Sequence, residues 1–201
     1  MMGYRPPQYR RGLKPIDKLY RIRYTNIDTP ISKGTKTIIK SKQNLIIKER
    51  INMNKIIHCK VKLKCDTKYA FEMFTKNELI STWLCKYADI EPVKNGKYEL
   101  FWDDNKEINS TIGCKITAIE PSRLLCFEWK GSVEFSEFMN YSDPLTHVCV
   151  LFSQENNDSC EVNLIHSGWK DGESWETARK WFENCWNNLF NVLQKKIEKK
   201  E

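Results

Sequence analysis

The run WETARKWFENCWNNLFNVLQKKIEK, residues 175–199, limits the fold more than any other stretch of the chain. At about 100° per residue, Trp175, Ala178, Trp181, Phe182, Cys185, Trp186, Leu189, Phe190, Val192, Leu193 and Ile197 fill roughly half the circumference of a helix. Lys180, Glu183, Asn184, Asn187, Asn191 and Lys195 take the other half. A helix resting on a flat partner needs an apolar stripe of only about 100°, so this wider one calls for a partner that curves around it. Asp171 is the expected N-cap, with Glu173 and Glu176 near the positive helix start and Lys195, Lys196, Lys199 and Lys200 near the negative end.

The segments before this helix supply such a partner. IIHCKVKLKC alternates, with Ile57, Cys59, Val61 and Leu63 on one face and Lys60, Lys62 and Lys64 on the other, as in a half-buried strand. Asp66 or Thr67 can cap a short helix through YAFEMF, and Asn77 a second through ELISTWL. YADIEPV and KYELFWD then flank the turn signal Asn95-Gly96. NSTIGCKITAIE follows, with Ile112, Cys114, Ile116 and Ala118 on one face. RLLCFEWK, THVCVLFS and CEVNLIHS complete the series. The order is one strand, two short helices, six strands and a long helix. Short connections between the later strands imply an antiparallel meander.

Charge divides the chain into two parts. Residues 1–50 hold thirteen Lys or Arg against three acids, Asp17, Asp28 and Glu49, whereas the rest of the chain is slightly acidic. Residues 1–52, with Pro6, Pro7, Pro15 and Pro30, read as a basic extension without a core, expected to be disordered. Three accounts of it stay open: an arm with Tyr4, Tyr9, Tyr20 and Tyr24 that touches nucleic acid or acidic surfaces, an organelle presequence, or a stretch upstream of a true start at Met53. For the domain itself nucleic acid is not an expected partner. No apolar run approaches the roughly 20 residues of a membrane-spanning helix, and the first residues lack the apolar region of a secretory signal. A cytoplasmic protein is the expectation. The eight cysteines show no CxxC and no clustered His, and read as small buried hydrophobes in a reducing compartment. No metal is expected.

AFEMFTKNELISTWL, NGKYELFW, ITAIEPSRLLCFEWKG and VNLIHSGWKDGESWETARKWFENCWNNLFNVLQ, in this order and spacing, resemble the SRPBCC superfamily, also called START-like or helix-grip proteins. More closely they resemble the activator of heat-shock protein 90 ATPase homologue-like family. The resemblance covers residues 55–199. It implies an α+β fold, a curved seven-stranded antiparallel sheet around the C-terminal helix, with two short helices after the first strand. It also implies a cavity between sheet and helix that accepts a small hydrophobic molecule, lipid or aromatic, with no cofactor.

Candidate pocket residues are Trp83, Phe101, Trp102, Trp129, His166, Trp169, Trp175, Phe182 and Trp186, although alternation forbids adjacent Phe101 and Trp102 from both pointing inward. Against each stands the plain alternative that these aromatics fill a solid core. Residues 131–144, with Phe135, Phe138 and Tyr141, form either a lid, a partner surface or an elaborated loop. Of the histidines, His58 is expected in solvent, His147 starts a strand and His166 lies nearest the pocket. Glu128 could face inward, where burial would raise its pKa. No GxSxG, P-loop, GxGxxG or HExxH is present, and no catalytic constellation is recognised.

Three functions follow in descending order. The first is binding of a small hydrophobic ligand. The second is co-chaperone-like regulation in the stress response through a chaperone-binding surface. The third is an enzyme acting on a ligand in the cavity through His166 or Glu128.

Overall fold

In a computed structural model of the chain, residues 55–199 are described. The basic extension and the start at Met53 lie outside them. Along the chain run β1 (Ile57–Leu63), α1 (Thr67–Thr75), α2 (Asn77–Ile80), β2 (Tyr87–Ile90), β3 (Tyr98–Phe101), β4 (Ile116–Glu120) and β5 (Leu124–Trp129). A 3₁₀ turn (Val133–Phe135) and α3 (Ser136–Met139) follow, then β6 (Thr146–Asn156), β7 (Ser159–Ser167) and α4 (Glu173–Glu198).

The expected strands and helices are all present, and the fold is the α+β helix-grip arrangement. The seven strands divide into two sheets. Strands β4, β5, β6 and β7 form the meander, and β1 returns to pair with the free edge of β7, giving the order β1-β7-β6-β5-β4. Every pair is antiparallel, with Val61 opposite Val162, Val150 opposite Leu164 and Cys126 opposite Cys149. Strands β2 and β3 form a separate ribbon. Backbone bonds from Tyr98 N–H to the Cys114 carbonyl and from Ile116 N–H to the Gly96 carbonyl, both 2.9 Å, tie it to the approach of β4.

The division has a local cause. Residues 109–115 were expected to run as strand. Instead Gly113 takes φ +84°, Ile112 turns into solvent, and the β4–β5 register shifts between Ile116 and Ala118. A chain bent twice within a few residues cannot carry one ladder continuously.

Alternation sets the inner face of the larger sheet. Ile57, Cys59 and Leu63, then Val148 and Val150, then Leu125, Phe127 and Trp129, are buried against Phe182, Trp186, Phe190, Leu193 and Ile197 of α4. Ala70, Phe71 and Phe74 of α1 close one end, with Phe71 and Phe74 edge-on to Phe152 at 5.5 Å. Asp66 caps α1 as expected, accepting from Tyr69 N–H at 2.7 Å.

Two other caps differ from expectation. Asn77 lies inside α2, and its side chain accepts from Ile90 N–H at 2.9 Å, binding that helix to β2. Gly172, not Asp171, is the N-cap of α4; its φ of +120° suits a residue without Cβ, and Asp171 pairs with Lys55. The buried stripe of α4 is also narrower than the sequence suggests, since Trp181 and Val192 are exposed. None of the described helices is long and apolar enough to cross a membrane.

Candidate functional site

Three elements leave a space between them. On β3, Tyr98 and Leu100 point into the core, so two residues on Trp102 emerges on the same side; its indole N–H donates to the Leu84 carbonyl at 2.7 Å. On β5, Leu125 and Phe127 place Trp129 likewise at the strand's inner end. From α4, Phe182, Trp186 and Leu189 recur at helical spacing along one face. The result is a cleft of about 410 Å³, walled by Leu84, Trp102, Trp129, Trp181, Phe182, Cys185, Trp186 and Leu189. Asn109, Ser110, Lys130, Ser132, Glu134 and Asn188 supply its polar margin.

The back wall is an aromatic cluster built around a histidine. Trp129 lies 4.9 Å from Trp186 and 6.3 Å from His166, measured between ring centroids. Trp186 Nε1 lies 3.2 Å from His166 Nδ1. An indole nitrogen only donates, so Nδ1 must accept, and the proton of the neutral ring sits on Nε2. Burial, with a smaller push from the charge of His147, holds the His166 pKa down at about 3. Its Nε2–H and the indole N–H of Trp129 have no acceptor among the described residues. Each such buried donor costs about 1–3 kcal/mol. Trp129 lies in the wall of the cleft, and His166 stands directly behind it. With Nδ1 engaged and Nε2 protonated, His166 offers no free base.

The expected pocket residues separate into two groups. Trp102, Trp129, Phe182 and Trp186 line the cleft, with His166 directly behind them. Trp83 does not: its N–H donates to the Met73 carbonyl at 2.9 Å and its ring stands edge-on to Phe74. Phe101 occupies the opposite face of the ribbon from Trp102, as alternation requires, with the Lys106 ammonium 4.9 Å above its ring. Trp169 donates to the His166 carbonyl at 3.0 Å and borders Trp175, both outside the lining.

Within residues 131–144, Ser132 and Glu134 border the cleft, and Phe135 packs on Trp181 and Phe182 at 5.5 and 6.1 Å. Phe138 packs on Trp175 at 5.1 Å. Tyr141 is 86% exposed and stands apart from the cleft.

Glu128 corrects the sequence reading. It faces away from the core, between the inward residues Phe127 and Trp129, and accepts from Lys115 N–H at 3.0 Å. Trp181, Cys185 and Leu189 were assigned to the apolar arc of the helix but not to a site. The arc alone could not distinguish residues under the sheet from residues beside it. Leu84 and the polar margin left no periodic signal at all.

No curated protein matches the chain. Solved structures do. Protein MLL2253 from Mesorhizobium loti superposes with a TM-score of 0.56 at 14% identity, covering 73% of this chain and 98% of that one. The Aha1 dimer from Colwellia psychrerythraea gives 0.53 at 15% identity, over 71% and 96%. CalU16 from Micromonospora echinospora gives 0.52 at 17% identity, over 69% and 71%. At these identities the likeness is one of fold. A family profile described as "Activator of Hsp90 ATPase homolog 1-like protein" matches residues 65–198. That span begins before α1, ends with α4 and takes in every strand but β1 and every wall of the cleft, and the chain belongs to this family.

Proposed function

We propose that the protein binds a small hydrophobic molecule in the cleft beside α4. One observation carries this reading: a space of about 410 Å³ with four tryptophans, Phe182 and Leu189 in its wall. Small-molecule sites commonly occupy about 300–1,000 Å³ and combine apolar walls with a few polar groups. The apolar wall favours an aromatic or aliphatic body. The margin of Asn109, Ser110, Lys130 and Glu134 suits a polar end held near the opening.

Two measurements test the proposal. Native mass spectrometry of gently purified protein should detect a retained small molecule. Titration with 1-anilinonaphthalene-8-sulfonate should raise dye emission and quench tryptophan fluorescence, because the wall tryptophans lie at the binding surface. A Leu189→Trp substitution, which fills the cleft from a half-buried position, should abolish both effects while leaving the circular dichroism spectrum intact. Equal dye binding by the wild type and the filled variant would reject the cleft as the site.

A second reading rests on the family's description: a regulator that contacts a chaperone through its surface. It is tested by co-precipitation with the chaperone of the same cell and by the change in that chaperone's ATPase rate. Leu189→Trp should leave such a contact unaffected, which separates the two readings.

A further inference from the structure

On the face of the larger sheet turned away from α4, three residues form a hydrogen-bonded chain. Val148 and Val150 point into the core, so His147 and Cys149 point outward from β6. Cys149 Sγ lies 3.6 Å from His147 Nδ1, and His147 Nε2 lies 2.6 Å from the Thr117 hydroxyl. Directly across the ladder from Cys149 is Cys126 of β5, and directly across from His147 is Glu128. Facing residues on antiparallel strands have Cα atoms about 4.5–5.5 Å apart, within the roughly 4.4–6.8 Å that a disulfide spans.

From this arrangement we propose that Cys126 and Cys149 form a peroxide-sensitive dithiol, in which Cys149 attacks the peroxide first and Cys126 then resolves it. We assign the His147 proton to Nε2, donated to the Thr117 oxygen, which leaves Nδ1 to take the Cys149 proton. Contact with the Cys126 thiol and, after an opposing effect of burial, with His147 lowers the Cys149 pKa. The same contact and burial push the Cys126 pKa up, which favours Cys149 as the nucleophile.

Access follows the same order. Cys149 is half-buried, whereas Cys126 is closed off. The attacking sulfur is therefore the reachable one. Cys65 and Cys160 form the other pair in thiol contact, but no histidine bond to either accompanies it. The histidine distinguishes the two pairs.

The chemistry balances with a hydroperoxide as oxidant. The Cys149 thiolate attacks the distal oxygen: the O–O bond breaks, an S–O bond forms, and the alkoxide or hydroxide leaves as alcohol or water with the proton that His147 took from the thiol. The Cys126 sulfur then attacks the sulfenic sulfur. The S–O bond breaks, the S–S bond forms, and the Cys126 proton departs with the hydroxyl as water. Two thiols are oxidised and one peroxide is reduced.

The test uses the full chain, fully reduced and then treated with a slight excess of hydrogen peroxide. Intact mass should fall by about 2 Da, and peptide mapping should join Cys126 to Cys149. In Cys126→Ser the reaction should stop at a gain of about 16 Da on Cys149, captured by dimedone. His147→Gln should slow the first step about tenfold with an unchanged circular dichroism spectrum. Limiting iodoacetamide on the unsubstituted protein should label Cys149 before the other seven cysteines. Faster labelling at another cysteine, or a cross-link that omits Cys149, would overturn the proposal.

Discussion

Lowering the pH from 7 to 5 should cost the protein about 2 kcal/mol of stability through His166 alone. The buried ring is held at about 3, against an ordinary value of 6.5. As pH falls through 6.5 the unfolded chain takes up a proton that the folded chain refuses until near pH 3. Stability is therefore complete above pH 6.5 and declines between 6.5 and 3. Each pH unit in that window contributes about 1.4 kcal/mol, so 1.5 units give about 2 kcal/mol.

Carboxylates do not confuse the measurement. The Glu176 pKa is held down at about 2, chiefly by its bond to Arg179, and the stability this provides is lost only below its ordinary value of 4.5. Urea unfolding at pH 7 and pH 5 supplies the assay, with His166→Asn as the control. The Asn amide oxygen can accept from Trp186 in place of Nδ1 but does not titrate. The wild type should lose about 2 kcal/mol more than the variant, a difference that cancels the titration of every other group. Equal losses in the two proteins would refute the assignment of a buried, neutral His166.

Other outcomes follow from particular contacts. Asp66→Ala removes the acceptor for Tyr69 N–H and should cost about 1 kcal/mol in chemical denaturation. Gly168→Ala should cost more than about 1 kcal/mol, because φ is +87° there and a new Cβ would meet the Thr146 backbone at 3.2 Å. Trp102→Phe deletes the bond to the Leu84 carbonyl; it should cost about 1 kcal/mol of stability and weaken binding of the fluorescent dye in the same preparation.

The fold was legible because its signals are periodic. Alternation placed the residues of β1, β6 and β7, and the half-apolar helix announced a curved partner. The strand expected at residues 109–115 failed because periodicity cannot register a positive φ at Gly113, where the chain turns and the ladder stops. The caps at Asn77 and Asp171 failed because a capping side chain can be drawn to a distant partner, here Ile90 and Lys55.

The site was legible only in part. Trp102, Trp129, Phe182 and Trp186 stand where local pattern sets them, at strand ends and on the helix's inner line. Leu84 and the polar margin belong to irregular chain, positioned by contacts between elements far apart in sequence. Trp83 and Trp175 have the composition of a pocket wall but lie within core contacts, since an aromatic on an inner face reads alike in both settings.

The split between the ribbon and the larger sheet has a mechanical consequence. Trp102 rides on one piece of β-structure, while Trp129 and the helix it faces belong to the other. Five backbone bonds between residues 95–102 and 109–116 join the two pieces, so strain from a guest in the proposed site would pass through this seam and leave the five-stranded ladder unbroken. Amide exchange in residues 87–101 should respond to occupancy before any amide of β6 or β7 does.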